Sequence, residues 1–319
     1  MKYHILNTIG QAFTDEGKVI LEKLGRVDYI VPSQTDLIKI IGDYDAVLIG
    51  LANDFNRVVL EKAGKLKVIA TATTGLDHID LKSAKARNIE VLSLRGENEF
   101  LKTITGTAEL AWGLILSLAR SIPQAFESVR DRREWRRERW LGMNLYGKTL
   151  GIVGLGRLGD MVARFGQAFG MKVIFCDPNV DDKTYPEYSK VSFEQLLVQS
   201  DVISIHVHLN EQTENMFGPR QLASMKPGAI LINTSRGRIV DEKAVINSLE
   251  SAHLGGYGTD VLTDELKFKE KVPAGEPLLK YARRHRNLIV LPHIGGMTKE
   301  SRVATDVFMA RKLADFLSV

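Results

Sequence analysis

The chain of 319 residues has one cysteine, Cys176, which rules out an internal disulfide. Set in the apolar run Lys172–Asp177, it reads as a buried structural residue and not a reactive one. Long hydrophobic runs are missing too. No stretch has the make-up of a signal peptide or a spanning helix, so the expectation is a cytoplasmic protein with no membrane partner. Short-period repeats, low-complexity segments and long flexible linkers are not visible, which argues against solenoid or disordered architectures. Charge of neither sign dominates. The formal balance is +4, which suits a small acidic substrate or cofactor and gives no argument for nucleic acid. The densest basic stretch, Arg130-Asp-Arg-Arg-Glu-Trp-Arg-Arg-Glu-Arg-Trp140, is short and mixes its arginines with acids and two tryptophans. It reads as a solvated or subunit-contacting arm, with no nucleic acid as partner. No metal site is expected.

What is present is an ordinary globular composition, 44% hydrophobic and 26% charged, in a chain longer than one core usually supports, so two domains are expected. From Met1 to about Leu92, strand-like runs (His4-Ile-Leu, Tyr29-Ile-Val, Ala46-Val-Leu-Ile, Val68-Ile-Ala, Ile89-Glu-Val-Leu) alternate with helical ones such as Gly17 to Leu24. Such alternation predicts a parallel sheet wound on both faces, an α/β fold. Thr71-Ala-Thr-Thr-Gly75 follows one strand, where small residues and backbone amides could line a carboxylate site or simply form a βα turn. Thr105 to Arg120 is apolar almost all round and must be covered on several sides, in the core or by another subunit.

The most informative stretch is Thr149-Leu-Gly-Ile-Val-Gly-Leu-Gly-Arg-Leu-Gly159. Its apolar strand runs into Gly154-x-Gly156-x-x-Gly159 and then into a helical pattern, the context that a dinucleotide fingerprint requires. Gly154 serves the tight turn, Gly156 the approach of backbone to a pyrophosphate, and Gly159 the packing of helix on strand. A second strand ends in Asp177, 18 residues past Gly159, where a carboxylate accepts from ribose hydroxyls and repels a 2′-phosphate. NAD is therefore the expected cofactor, in preference to NADP. Further strands are read at Asp201 to His208, Ala229 to Asn233 and Leu288 onward, and helices at Phe193 to Leu197, Asp241 to Leu249 and Ser301 to Leu317.

Three short segments have the makings of a site. Arg236, after a strand in Asn233-Thr-Ser-Arg-Gly237, can hold a carboxylate and polarise a carbonyl through its planar fork. Glu265 and His293 could form an acid/imidazole pair that fixes the tautomer and lets the histidine move a proton near neutral pH. Each residue alone also has an ordinary structural reading: a surface ion pair, a loop glutamate, a structural histidine.

Taken together, Gly154 to Gly159 with Asp177, Asn233-Thr-Ser-Arg-Gly-Arg-Ile-Val-Asp241 and Pro292-His-Ile-Gly-Gly296 closely resemble the D-isomer-specific 2-hydroxyacid dehydrogenase family, over essentially the whole chain. The resemblance implies two Rossmann-like, doubly wound parallel-sheet domains, with an NAD-binding domain (101–291) inserted into a catalytic domain made of residues 1–100 and 292–319. It implies Arg236 as substrate clamp and His293, partnered by Glu265, as acid/base for interconverting a 2-keto acid and a D-2-hydroxy acid. Arg157 and Leu158 would meet the pyrophosphate and Asp260 the nicotinamide amide. Thr74, Thr234, His206, Gly295 and Gly296 would complete the cofactor site, and Thr74 and Gly75 would meet the substrate. The helix from Thr105 would form a homodimer contact between NAD-binding domains. Two alternatives stay open: a D-3-phosphoglycerate dehydrogenase, and an NAD-sensing corepressor-like binding protein on the same fold.

Two positions depart from the family pattern. The usual His-x-Pro is His206-Val-His208 here, which changes an adenine-side turn, and the proline usual after Glu265 is Leu266. Where phosphoglycerate dehydrogenases have two arginines for the distal phosphate, alignment puts Gly50 and Thr71. Arg137 matches a third arginine, supplied by a partner subunit.

Overall fold

Ala46-Val-Leu-Ile and Val68-Ile-Ala-Thr are buried at every position, as strands covered on both faces must be. They belong to the first of two units in the computed structural model, which describes residues 2–268 and 271–318. One unit is Met1–Ile104 with Met297–Val319, the other Thr105–Gly296. The chain thus changes unit after Ile104 and Gly296, against expected boundaries of 100 and 291.

The first unit carries a parallel sheet of β1 (Tyr3–Asn7), β2 (Gly25–Tyr29), β3 (Ala46–Ile49), β4 (Val68–Thr71) and β5 (Glu90–Leu92), in the order β2-β1-β3-β4-β5. One face packs on the cluster of Leu37, Ile41, Val59 and Ile69. On the other, Ile5, Leu48 and Ala70 meet Met309, Leu313 and Leu317 of the closing Lys299–Ser318 helix. Burying each such side chain contributes about 1.5–3 kcal/mol. The expected strand at Tyr29-Ile-Val is displaced. Pairing with β1 fixes the strand at Gly25–Tyr29, and Ile30 and Val31 lie outside it, 43% and 55% exposed. An edge strand buries little, so its polar Arg26 and Asp28 hide it from a search for apolar runs.

The second unit carries β6 (Thr149–Val153), β7 (Lys172–Cys176), β8 (Ser189–Lys190), β9 (Val202–Ile205), β10 (Ile230–Asn233), β11 (Gly256–Thr259) and β12 (Leu288–Val290). All pairings are parallel, in the order β12-β11-β10-β9-β6-β7-β8. The order reverses between β6 and β9, and ligands of open α/β sheets bind beyond the carboxyl ends of strands at such a switch point. The predicted strand from Asp201 to His208 is pared to Val202–Ile205, with His206 to His208 being loop at that edge. β8 and β11 have no counterpart in the sequence reading. β11 is Gly-Tyr-Gly-Thr, and the reason for its glycines is the Gly106–Arg120 helix. A Cβ at Gly256 would lie 3.2 Å from Leu118, and one at Gly258 3.2 Å from Leu118 and 3.3 Å from Leu114, besides 3.0 Å from Ile232 of β10. The helix rides directly on backbone, so the strand has no apolar pattern to read. Among the described residues, no helix is long and apolar enough to cross a membrane.

Candidate active site

At the switch point β6 gives way to a turn at Gly154, where φ is +89° and a Cβ would stand 2.7 Å from the carbonyl oxygen of His206. Only glycine meets both demands. At Gly159 a Cβ would come within 2.1 Å of the Gly154 carbonyl oxygen, so the first turn of the Arg157–Ala168 helix sits on the loop itself. Gly156 is the opposite case. Nothing lies within 4 Å of its Cβ position, and it caps the helix without a side-chain hydrogen bond. The helix N-terminus therefore offers its amides to an anion. Burial holds the Arg157 guanidinium below its usual pKa, and an adjacent diphosphate would offset that cost. Leu158 is the next residue of the same turn.

Asp177 follows β7 and braces this loop, accepting from Leu155 N at 2.9 Å through Oδ2 and from Asn179 N at 2.8 Å through Oδ1. Each oxygen keeps lone-pair capacity for ribose hydroxyls. After β9, His206 Nε2 lies 2.8 Å from Ser204 Oγ. The residue is partly exposed, yet its Nδ1 is occluded and has no hydrogen-bond partner among the described residues. Burial pushes its pKa down to about 4, so the ring is neutral at physiological pH. Thr234 Oγ1, just past β10, is likewise buried and unpartnered. An open glycine, an uncapped helix start, an acid at the end of β7 and two orphaned polar atoms fit a dinucleotide.

Farther along the same edge, the Asn233–Arg236 turn is built on a buried asparagine. Asn233 Nδ2 donates to Arg236 O at 2.9 Å, Asn233 Oδ1 accepts from Ser235 N at 3.0 Å, and Ser235 Oγ donates to Ile205 O at 2.9 Å. Arg236 projects from this turn, half-buried, with Nη1 donating to Ser235 O at 2.8 Å. Beyond β11, Glu265 Oε2 accepts from Leu262 N at 3.0 Å, and Glu265 Oε1 lies 2.6 Å from His293 Nδ1. A carboxylate accepts only, so Nδ1 carries the proton and Nε2 is the nitrogen left for chemistry. The pair is shielded without being sealed, with 29% of the His293 side chain and 18% of the Glu265 side chain exposed.

His293 has φ of +55°, a conformation that costs a non-glycine residue about 1 kcal/mol or more. Asp260 maintains it. Its Oδ1 accepts from Ile294 N at 2.8 Å and its Oδ2 from Gly295 N at 2.7 Å, the two amides after His293. Burial raises the Asp260 pKa, opposed by those two N–H groups and by His293. Gly295 is buried and Gly296 exposed. In the other unit, Thr71 Oγ1 and Thr73 Oγ1 are 3.0 Å apart and Thr73 Oγ1 donates to Gly75 O at 2.7 Å. These hydroxyls shape the turn that presents Thr74 and Gly75.

Residues 112–295 match the family model described as the D-isomer specific 2-hydroxyacid dehydrogenase, NAD binding domain. The chain belongs to this family. NAD is accordingly the cofactor of the domain. Among relatives of the dehydrogenase, the glyoxylate reductase of Thermococcus litoralis is 36% identical over 97% of this chain and 92% of its own length. The D-3-phosphoglycerate dehydrogenase of Synechocystis sp. is 33% identical over 97% of this chain, and the chain spans only 53% of its length. The D-lactate dehydrogenase of Aquifex aeolicus, solved with NAD and lactic acid, superposes with a TM-score of 0.85 at 27% identity, covering 99% of this chain and 95% of that one.

Both departures have structural counterparts in this chain. The changed His206-Val-His208 turn still delivers a neutral imidazole at the end of β9. Without a proline after it, Glu265 opens a short 3-10 turn, and Asp264 before it has φ of +61°. The sequence reading did not single out Glu242, whose Oε1 accepts from Thr263 N at 2.7 Å in the same loop. Its signal was the pair Asp241-Glu242 at a helix start, where Asp241 Oδ1 caps by accepting from Ala244 N at 3.0 Å.

Proposed function

We propose that this chain reduces a small, unphosphorylated 2-keto acid to the D-2-hydroxy acid, and runs the reverse oxidation, with NAD(H). The contact of 2.6 Å between His293 Nδ1 and Glu265 Oε1, in the unit that carries the glycine loop, supports this reading most. When bound, NADH supplies the hydride. Arg236 would hold the substrate carboxylate and draw electron density toward the keto oxygen. His293 would give that oxygen a proton from Nε2 during reduction and take it back during oxidation. Glu265 would keep the ring oriented and balance its charge while the proton is resident. Asp260 would act through the His293 loop and beside the nicotinamide, and Thr74 and Gly75 would bind the substrate carboxylate with their amides. The unit 1–104 with 297–319 is then the substrate domain, and 105–296 the NAD-binding domain, which also carries Arg236, Glu265 and His293, the last expected in the other domain.

The preference against phosphate rests on Gly50 and Thr71, neither of which carries charge. A dianion held by one charge-assisted contact instead of three forgoes about 3 kcal/mol or more, roughly a hundredfold in kcat/KM. The cofactor preference rests on Asp177, which should favour NADH over NADPH at least about tenfold. One experiment reads both: NADH oxidation followed by absorbance with hydroxypyruvate, glyoxylate, pyruvate, longer keto acids and 3-phosphohydroxypyruvate, repeated with NADPH. A wide margin for the phosphorylated substrate, lost in Arg137→Ala, would make phosphoglycerate dehydrogenase the better reading. NADH binding without turnover of any keto acid would favour the corepressor-like alternative.

The same reading includes a homodimer. The Gly106–Arg120 helix, expected to make the contact, is instead largely buried in the core of its own unit, so the reading shifts to the segment after it, where Phe126, Trp135, Leu141 and Tyr146 are 60%, 87%, 96% and 81% exposed, more apolar surface than monomers usually leave bare. Light scattering should give twice the mass of one chain, and a monomer at micromolar concentration would refute it.

A further inference from the structure

The peptide between Leu262 and Thr263 is gripped from three sides. Its upstream neighbour, the Leu262 N–H, is held by Glu265 Oε2 at 3.0 Å. The Thr263 N–H is held by Glu242 Oε1 at 2.7 Å. Its third side is Gly237, where a Cβ would meet Leu262 C at 2.2 Å and Thr263 N at 2.3 Å. Gly237 directly follows Arg236, so this one peptide abuts the arginine turn while its flank ties down the carboxylate that pairs with His293. Within the Val261–Glu265 segment, Val261 and Leu262 are buried and Leu262 O accepts from Glu265 N at 3.4 Å. Thr259 Oγ1 secures its start by donating to Val261 O at 2.6 Å, and Asp264 breaks the extended path with its φ of +61°.

Glu242 comes from outside this segment, from the first turn of the Glu242–Glu250 helix. We propose that Glu242 is a positioning residue for the reaction. By accepting the Thr263 N–H it seats the Leu262–Thr263 peptide against Gly237, and so sets Glu265 and its partner His293 in register with Arg236. It supplies the constraint that the absent proline after Glu265 would otherwise give. Glu242 touches neither the paired His293 nor the glycine loop in any hydrogen bond described. Burial lifts its carboxyl above the usual range, against the bonds from Thr263, with Glu276 and Asp264 adding to the lift. A glutamine side-chain oxygen can accept the same Thr263 N–H, which makes glutamine the natural stand-in.

This inference rests on the dehydrogenase reading for its kinetic test, and has a second test that does not. In Glu242→Ala, kcat with the best keto acid should fall about ten- to hundredfold, as a misplacement of about 1 Å in a catalytic constellation costs. NADH affinity, measured by fluorescence titration, should stay within about twofold, because the glycine loop is untouched. Glu242→Gln should restore kcat to within about threefold of the parent, its Oε1 accepting the same N–H. Independently of turnover, the far-downfield proton resonance of His293 Nδ1, assigned by its loss in Glu265→Ala, should broaden or shift in Glu242→Ala and return in Glu242→Gln. Parental kcat and an unmoved resonance in Glu242→Ala would overturn the proposal. So would a Gln variant as impaired as the Ala variant, or a loss of NADH affinity equal to the loss of kcat, which would mark a general structural role. If the parent turns over no keto acid but the resonance responds as described, the positioning role stands and the dehydrogenase reading falls.

Discussion

Replacing His293 by alanine should lower kcat by about two to four decades while NADH binds as before, because general acid–base transfer contributes about that much and Asp260 keeps its two backbone donors without the ring. Steady-state kinetics with saturating keto acid gives kcat, and a fluorescence titration gives the NADH affinity. The two must be read together. Alanine at φ of +55° is no better suited to the left-handed region than histidine, so the variant keeps the backbone strain and removes only the imidazole. Asp260 still receives the amides of residues 294 and 295, which holds the loop in place. A variant that turned over within a few-fold of the parent would take His293 out of the reaction, and Glu265 with it, since the pair would then be a structural ion pair.

Arg236→Gln should cost kcat/KM a comparable amount, about two to four decades. Two charge-assisted bonds to a carboxylate, each worth about 1.5–3 kcal/mol, are replaced by at most one neutral bond. Because the same guanidinium is assigned to polarise the keto oxygen, the loss should divide between KM and kcat. Arg236→Lys should recover only part of it, since a point charge cannot span both oxygens. The turn that presents the side chain is secured by Asn233 and Ser235, so the substitution leaves its own scaffold intact. Values of KM and kcat both near the parent's would show that the arginine does not meet the substrate.

Both predictions depend on residues that were legible in the sequence, and for a physical reason. Gly154, Gly159 and Asp177 sit where backbone geometry or charge admits few alternatives, so the residue type announces the place. Arg236, Glu265 and His293 follow strand ends, and a parallel sheet gathers its strand ends at one edge. Other elements were hidden because their residues answer to neighbours distant in sequence. β2 is an edge strand with charged side chains, β11 owes its glycines to the Gly106–Arg120 helix, and Glu242 acts on Thr263, 21 residues away. None of these contacts leaves a periodic trace. The left-handed backbone of His293 was equally invisible, since nothing local calls for it and Asp260 imposes it.

The glycines also set where the chain has freedom to diverge. The Cβ positions at Gly154, Gly159 and Gly237 fall 2.7, 2.1 and 2.2 Å from backbone atoms, so the nucleotide loop and the Arg236 turn have no path of small steps to another residue. Gly50 stands differently. The nearest atom to its Cβ position is the Ile9 side chain at 3.3 Å, a flexible neighbour that can give way. Substitution at Gly50 in the first unit is therefore open where substitution in the nucleotide loop and the Arg236 turn is closed. A lineage built this way varies positions such as Gly50 far more readily than its glycine loop.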